Sequence, residues 1–233
     1  MVGWASLRQV NRFDSSRMLS FDLETTSVNP TSAHIVTSAL VRIEGSQVDA
    51  RELLADPGIP IDPAATEVHG ITNEYAQANG RPHAEVLAET ISTIRQAWSD
   101  GFTLIVYNAP FDLTILATQD PSFTVDGLVV DPYLIDRALD RYRKGRRTLT
   151  DLSEHYQISL DHAHEATSDA LAAARIAWMQ ANKWKQELTQ ISAEELMEKQ
   201  AVWFFELAQD RQKYLESQGK DTSRINYSWP IGS

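Results

Sequence analysis

The stretch of sequence that decides the fold is Ser20-Phe21-Asp22-Leu23-Glu24-Thr25-Thr26. Side chains alternate between the two faces of a strand, so Asp22 and Glu24 point to the same side, roughly 7 Å apart along the backbone. Two anions on one partly buried face repel each other and lose hydration. The pair therefore indicates a hard divalent cation held by carboxylate oxygens. The alternative is an exposed edge strand with charged outward positions.

The length, composition and net charge of the chain exclude several kinds of protein. Its 233 residues fit one domain of α/β type, and the absence of cysteine excludes disulfides and zinc–thiolate sites. The net charge of −11 argues against bulk coating of nucleic acid, but not against an enzyme acting on a nucleic-acid end. Residues 1–18 lack the pattern of a signal peptide, and no run is long enough to span a bilayer. We therefore expect a cytoplasmic protein that does not contact a membrane.

The order of strand and helix patterns predicts a mixed sheet. Met18–Leu23, Ile35–Ile43 and Gln47–Leu54 predict three antiparallel strands, with a Gly-containing hairpin turn between the last two. Strands at Thr103–Tyr107 and Leu128–Val130 then alternate with helices, which predicts parallel additions covered by helices. The predicted helices are Pro63–Val68, Pro82–Trp98, Pro110–Thr118, one starting at Asp131–Pro132, Thr148–Tyr156, Thr167–Gln180 and Ser192–Ser217.

We divide the chain into a lead-in at 1–17, a body at 18–184, and a C-terminal helix and tail at 185–233. The last helix carries Trp203, Phe204 and Phe205, and the end at 226–231 is apolar enough to dock on the body. We expect this segment to pack on its own domain. A homodimer contact or a surface for a polymerase is the alternative.

Two further acidic positions lie where α/β folds place ligand sites. Asp112 follows a predicted strand at the start of a helix, and Asp169 lies in the first turn of an Ala-rich helix that follows His164. Taken singly, each acid is explained by favourable charge at a helix N-terminus, and His164 by a surface position. Asp131 reads as a helix N-cap followed by Pro132, which is a structural role.

Taken together, three motifs occur in one order along the chain. They are Asp22-x-Glu24, Asn108-x-x-Phe111-Asp112 and His164-x-x-x-x-Asp169. This combination resembles the DEDDh family of 3′–5′ exonucleases, the group that contains the proofreading epsilon subunit of bacterial DNA polymerase III. The resemblance extends over about Met18 to Ala181 and includes Val68-His69-Gly70-Ile71-Thr72. It implies an α/β, ribonuclease-H-like fold, a mixed β-sheet flanked by helices, here with a long C-terminal helical extension.

The resemblance also implies a two-metal site. Asp22, Glu24 and Asp169 would hold two divalent ions about 4 Å apart, and Asp112 would bind directly or through a water. Mg²⁺ or Mn²⁺ suits such an all-oxygen site. His164 would be the general base, since its ordinary pKa near 6.5 suits removal of a proton from water.

Contacts to the substrate follow from the same resemblance. Thr25 and Thr26 would bond the terminal nucleotide. Val68, His69 and Phe111 would enclose its base or sugar, and Asn108 belongs to the same binding surface. The basic cluster Arg141–Arg147 is interpreted from its charge and not from the resemblance: Arg146 and Arg147 would bind phosphates of the DNA strand, and a solvated loop is the alternative.

These observations predict a metal-dependent 3′–5′ exonuclease that releases nucleoside 5′-monophosphates from single-stranded DNA. Trimming of RNA 3′ ends is the alternative within the family. A non-catalytic module that recruits a partner is the alternative from another class.

Overall fold

The computed structural model describes residues 12–159 and 165–232, which build a six-stranded sheet flanked by helices. The strands are β1 (Arg17–Thr25), β2 (Ile35–Glu44), β3 (Gln47–Asp56), β4 (Arg81–Pro82), β5 (Thr103–Ile105) and β6 (Val129–Val130). Their order across the sheet is β4-β3-β2-β1-β5-β6. The acidic stretch therefore lies on an inner strand, and the edge-strand alternative is wrong.

The first three strands form the predicted antiparallel meander. β1 pairs with β2 and β2 with β3, and Gly45 adopts a φ of +61° in the turn that brings Glu44 opposite Gln47. β5 pairs in parallel with β1, and β6 in parallel with β5. The predicted mixed sheet is thus confirmed.

The helices cover both faces of this sheet. They are α1 (Pro63–His69), α2 (Asn73–Asn79), α3 (His83–Ser99), α4 (Pro110–Gln119), α5 (Pro132–Leu139), α6 (Leu149–His155), α7 (Ala166–Lys183), α8 (Lys185–Leu188) and α9 (Ala193–Ser217). Gly70 ends α1 with a φ of +75°, as the sequence predicted. No helix within the described ranges is long and apolar enough to cross a membrane.

Helix α7 lies directly on the face of the sheet that carries the acids. Ala166 and Ala170 of α7 pack against Ala39 and Val41 of β2. Ala39 is the register partner of Asp22, so the alanines bring the helix to the face from which that carboxylate projects. Small side chains on both elements allow this close approach, which places the first turn of α7 over the acids.

The C-terminal helix completes the open edge of the sheet at β6. Gln200 of α9 is fully buried; its Nε2 donates to the Val129 carbonyl, and its Oε1 accepts from the Asp131 N–H at 2.9 Å. One amide side chain thus satisfies the backbone groups that a seventh strand would otherwise pair. Beyond α9, Trp229 is buried in the main core and the Gly232 N–H donates to Thr114 Oγ1. The apolar tail therefore packs against the body through Trp229 and Gly232.

Candidate active site

Three carboxylates from two elements converge at the end of β1. Asp22 and Glu24 project from the strand, and Asp169 projects from the first turn of α7. One oxygen of each lies within 4.8 Å of the others. The sequence predicted this group, because the spacing on β1 and the helix start are both local signals.

Asp112 approaches the same point from α4. Pro110 starts this helix, and Asp112 lies in its first turn, 3 % exposed. Its Oδ1 accepts the Leu23 N–H at 3.2 Å. β5 pairs with β1 only as far as Ser20, so beyond that residue this side of β1 has no strand partner. At that point Asp112 accepts the hydrogen bond that a neighbouring strand would otherwise accept from the Leu23 N–H. Asp112 is not a member of the converging group of three acids.

Burial and neighbouring negative charges strongly raise the pKa values of acids in this site. Burial raises the pKa of Asp22 well above its usual range, and the charges of Asp112, Glu24 and Asp169 raise it further. The pKa of Glu24 is raised to about 7, mainly by burial and then by Asp169 and Glu52. Burial also raises the pKa of Asp112, although the Leu23 N–H bond opposes it. Such a set is favourable for binding a cation, since a nearby positive charge removes the repulsion.

The donor set fits a hard divalent ion. All three converging groups offer oxygen, which Mg²⁺ and Mn²⁺ prefer. An octahedral Mg²⁺ holds its ligands at about 2.0–2.1 Å, so two oxygens on one ion lie at most about 4.2 Å apart. The 4.8 Å limit of the cluster requires only a small side-chain adjustment to reach this spacing.

A fifth acid near the site, Glu52, was not predicted from the sequence. Glu52 on β3 lies opposite Ala39, which lies opposite Asp22, so these positions form one row across the sheet. Its Oε2 accepts a hydrogen bond from Thr167 Oγ1 at 3.0 Å, which ties β3 to the first turn of α7. Only the register of two successive hairpins could have revealed it, because no motif contains it.

The predicted general base, His164, lies outside the described residues. The first described residue after it is Glu165, which precedes α7 and the acid Asp169. Its role therefore stays a prediction.

The segment Val68–His69 lies beside the end of β1. Val68 is 53 % exposed at the end of α1, whereas His69 is partly buried and its Nδ1 accepts the Ile71 N–H at 3.1 Å. Burial lowers the pKa of His69, and the backbone of the neighbouring Thr25 opposes this shift. An exposed apolar side chain beside a histidine is consistent with the predicted nucleotide contact.

The two threonine hydroxyls are engaged within their own loop. Thr25 Oγ1 donates to the Ser27 carbonyl at 2.9 Å, and Thr26 Oγ1 accepts the His34 N–H at 3.0 Å. Both residues are buried. The predicted contacts to a nucleotide would require these bonds to open or a second bond at the same oxygen, and they stay predictions.

Asn108 and Phe111 lie at the mouth of a groove next to Asp112. Asn108 is exposed and has a φ of +62°, which an asparagine tolerates better than most residues. Asp131 holds this turn, since its carboxylate accepts the N–H groups of Asn108 and Ala109 at 3.0 Å each and that of Leu134 at 3.2 Å. Asp131 is therefore the predicted N-cap of α5 and also fixes the start of α4.

The basic cluster Arg141–Arg147 divides into structural and exposed members. Arg143 and Arg147 each form an ion pair at 2.9 Å with the buried Asp136. Arg141 pairs with Asp210 of α9 at 3.5 Å, on the surface. Arg146 is exposed and forms no ion pair with a described residue. Arg147 thus has a structural partner, and Arg146 keeps its charge available.

A comparison of the sequence with protein families shows to which family the chain belongs. The model of the RNase_T family, described as an exonuclease family, matches residues 19–177. The chain belongs to this exonuclease family. The match begins one residue before Ser20 and contains every acid of the converging group, so the resemblance to DnaQ-like DEDDh exonucleases is confirmed.

Relatives of this chain include much longer proteins. It is 30 % identical over 162 residues to a DNA polymerase III PolC-type protein of Listeria welshimeri, covering 68 % of this chain and 11 % of the relative. It is 26 % identical over 168 residues to the PolC-type protein of Lacticaseibacillus paracasei, covering 70 % and 11 %. The chain spans about a tenth of the length of these relatives.

Solved structures of exonucleases share the fold. E. coli Exonuclease I in complex with a dA16 oligonucleotide aligns with a TM-score of 0.64 and 21 % identity, covering 73 % of this chain and 42 % of that one. Exonuclease X in complex with 5′ overhanging duplex DNA aligns with a TM-score of 0.59 and 18 % identity, covering 77 % and 99 %. The predicted ribonuclease-H-like architecture is thus confirmed.

Proposed function

We propose that this protein is a metal-dependent 3′–5′ exonuclease that releases nucleoside 5′-monophosphates from the 3′ ends of single-stranded DNA. The observation that carries the proposal is the convergence of Asp22, Glu24 and Asp169 within 4.8 Å in a member of an exonuclease family. A scaffold protein has no use for partly buried acids such as Asp22 and Glu24, whose pKa values are raised by burial and by the neighbouring negative charges.

Each acid has a distinct task in this proposal. Asp22 would hold the metal together with Glu24 and Asp169, since the charges of Asp112, Glu24 and Asp169 all raise its pKa and a cation would relieve this repulsion. Glu24 and Asp169 complete the ligand set. Asp112 has one oxygen engaged with the Leu23 N–H and offers the other, directly or through a water.

Two bound Mg²⁺ or Mn²⁺ ions would activate the attacking water and stabilise the leaving 3′ oxygen. His164 would accept the proton of that water. Val68, His69 and Phe111 would hold the terminal nucleotide, and stacking on Phe111 tolerates any base.

The relatives support DNA as the substrate. The PolC-type relatives are DNA polymerases by name, and the E. coli Exonuclease I neighbours were solved with dA16 and dT13 oligonucleotides. A proofreading role beside a polymerase is consistent with the first of these similarities.

The proposal is tested by incubating the full chain with 3′-labelled single-stranded DNA or RNA, with Mg²⁺ or with EDTA. We expect Mg²⁺-dependent release of labelled mononucleotide from DNA, faster than from RNA. Asp22→Asn should abolish release, whereas Asp49→Asn, a matched change at an exposed position of β3, should not. Absence of metal-dependent release from both substrates would show that the protein is not an exonuclease, and faster release from RNA would make it an exoribonuclease.

The substitution His164→Ala tests the proposed role of the general base separately from metal binding. We expect turnover to fall about 10²- to 10⁴-fold while the affinity for Mn²⁺ stays nearly unchanged. A rate within a few-fold of the wild type would remove His164 from the base role.

A further inference from the structure

A large groove lies between the starts of α4 and α5 and the C-terminal helix. Its volume is about 1320 Å³, above the range of about 300–1000 Å³ that is typical of small-molecule pockets. One wall comes from the starts of α4 and α5, including Phe111 and Tyr133. The other wall comes from α9 and the tail, including Phe204 and Tyr214.

The groove is positively charged within an acidic protein. Five arginines line it, against two aspartates, although the whole chain has a net charge of −11. Three of these arginines, Arg137, Arg211 and Arg224, form no ion pair with any residue in the described ranges. They come from α5, α9 and the tail, so their charges are spread along the groove and not concentrated at one point. This distribution matches a ligand with repeated negative charges better than a single anion.

Aromatic rings line the same groove as these charges. Phe111 and Tyr133 lie on one wall and Phe204 and Tyr214 on the other. Tyr214, near the C-terminal end of α9, is 63 % exposed. Arginines that contact phosphates together with rings that stack on bases are the features of a surface for single-stranded nucleic acid.

The position of the groove indicates the path that a bound DNA strand would take away from the acids. Phe111 lines it and is followed by Asp112, whose carboxylate reaches the Leu23 N–H between Asp22 and Glu24. A strand whose 3′ nucleotide lies at the acids would continue along this groove. α9 and the tail lie beyond residues 19–177, so this wall is an addition to the family domain.

We propose that the groove binds the single-stranded DNA upstream of the cleaved nucleotide and that α9 and the tail form part of the substrate-binding surface. The direction of the strand rests on the proposed function, since the active site defines the position of the 3′ end. Binding itself does not require turnover.

The test compares binding of a 5′-labelled dT12 oligonucleotide and of the dinucleotide pdTpdT to the full chain. Ca²⁺ replaces Mg²⁺, and a gel verifies that the oligonucleotide stays intact. The triple variant R137A/R211A/R224A should weaken binding of dT12 but change binding of the dinucleotide by less than about twofold. The slope of log Kd against log salt should fall by about 2, since each lost phosphate contact on a single strand contributes about 0.7.

Two controls separate charge and stacking from general damage. Lys213→Ala removes a cation from the same helix outside the groove and should leave the affinity and the salt slope unchanged. Tyr214→Ala should weaken dT12 binding about 5- to 150-fold, whereas Tyr214→Phe should keep wild-type affinity, because the ring alone stacks.

An active exonuclease whose dT12 affinity and salt slope are unaffected by the triple variant would overturn the groove proposal and leave the proposed function intact. Loss of affinity only for an RNA 12-mer would also overturn it. Wild-type protein that binds dT12 through the groove but shows no metal-dependent release would instead refute the proposed function.

Discussion

Asp22 lies close to three other carboxylates, and repulsion between these charges separates its proposed role in catalysis from its effect on stability. The charges of Asp112, Glu24 and Asp169 all raise its pKa, so in metal-free protein Asp22 lowers stability. We expect Asp22→Ala to abolish turnover and to leave the thermal midpoint in EDTA unchanged or higher. Differential scanning calorimetry and the release assay measure the two effects. A midpoint several degrees below the wild type in EDTA would contradict this expectation.

Glu24 should make the metal-free protein sensitive to pH. Its pKa is about 7 in the folded chain, against 4.5 as its ordinary value, so the native state binds the proton more tightly than the unfolded state. The stability that this group contributes is present below about pH 4.5 and is lost as the pH rises through about 7. Glu24→Gln removes the titration. In EDTA we expect its midpoint to exceed that of the wild type only slightly near pH 5 and by a larger amount at pH 8.

The comparison with Glu24→Gln is needed because another group titrates in the opposite sense. Burial and the stacked His34 lower the pKa of His83 to about 4, so that residue favours the native state as the pH rises from 4 to 6.5. His83 is present in both proteins and cancels in the difference. A difference that is the same at pH 5 and pH 8 would show that Glu24 does not titrate in this range.

At the scale of single residues, the sequence locates the acids but not all their partners. Asp22, Glu24 and Asp169 follow from strand spacing and from a helix start, which are local features. Glu52 required the register of three strands, and the engaged hydroxyl of Thr26 required the path of the loop to His34. Interactions between residues far apart in sequence have no signature in a single chain without aligned relatives.

Among the elements, the loop after α5 depends on one buried carboxylate. Asp136 is fully buried and binds Arg143 and Arg147, whose side chains are 15 % and 10 % exposed. Asp136→Ala leaves both largely buried guanidinium groups without a carboxylate partner, so we expect it to destabilise the fold by about 3–5 kcal/mol. Urea unfolding measures this change.

Asp210→Ala is the matched control for this change, since its pair with Arg141 lies on the surface. We expect the control to lower the free energy of unfolding by at most about 1 kcal/mol. Equal effects of the two substitutions would show that burial of Asp136 is not what stabilises the loop.

The elements that the sequence missed are the short ones. α2 and α8 have seven and four residues and bury one side chain each, so neither has an apolar periodicity to detect. The strand predicted to reach Tyr107 ends at Ile105, although the Val106 N–H still bonds to the Val130 carbonyl. The longer helices and the meander were predicted correctly because their patterns are longer than one turn or one hairpin.

On the scale of the whole molecule, Trp229 connects the tail to the body. It is 7 % exposed and belongs to the main core, although it lies in the last five residues of the chain. Trp229→Ala should destabilise the fold by about 3–5 kcal/mol, which lowers the thermal midpoint by about 6–20 °C in a chain of this size.

Trp178→Ala provides the control for loss of a tryptophan, because that side chain is 49 % exposed. Its effect should stay within about 0.5 kcal/mol. A midpoint for Trp229→Ala within two degrees of the wild type would mean that the tail is not required for stability. The division at residues 184 and 185 would then describe two separable parts.

The hydrogen bond from the Leu23 N–H to Asp112 links the backbone of β1 to the state of the acids. Where β5 stops pairing, this amide depends on a side chain that titrates and can bind a cation, not on another strand. Exchange of its hydrogen with solvent deuterium should therefore respond to the state of the carboxylate, while the amides of β1 that bond to β2 exchange slowly throughout. A single backbone position could thus report, without any added label, when a cation occupies the acidic site.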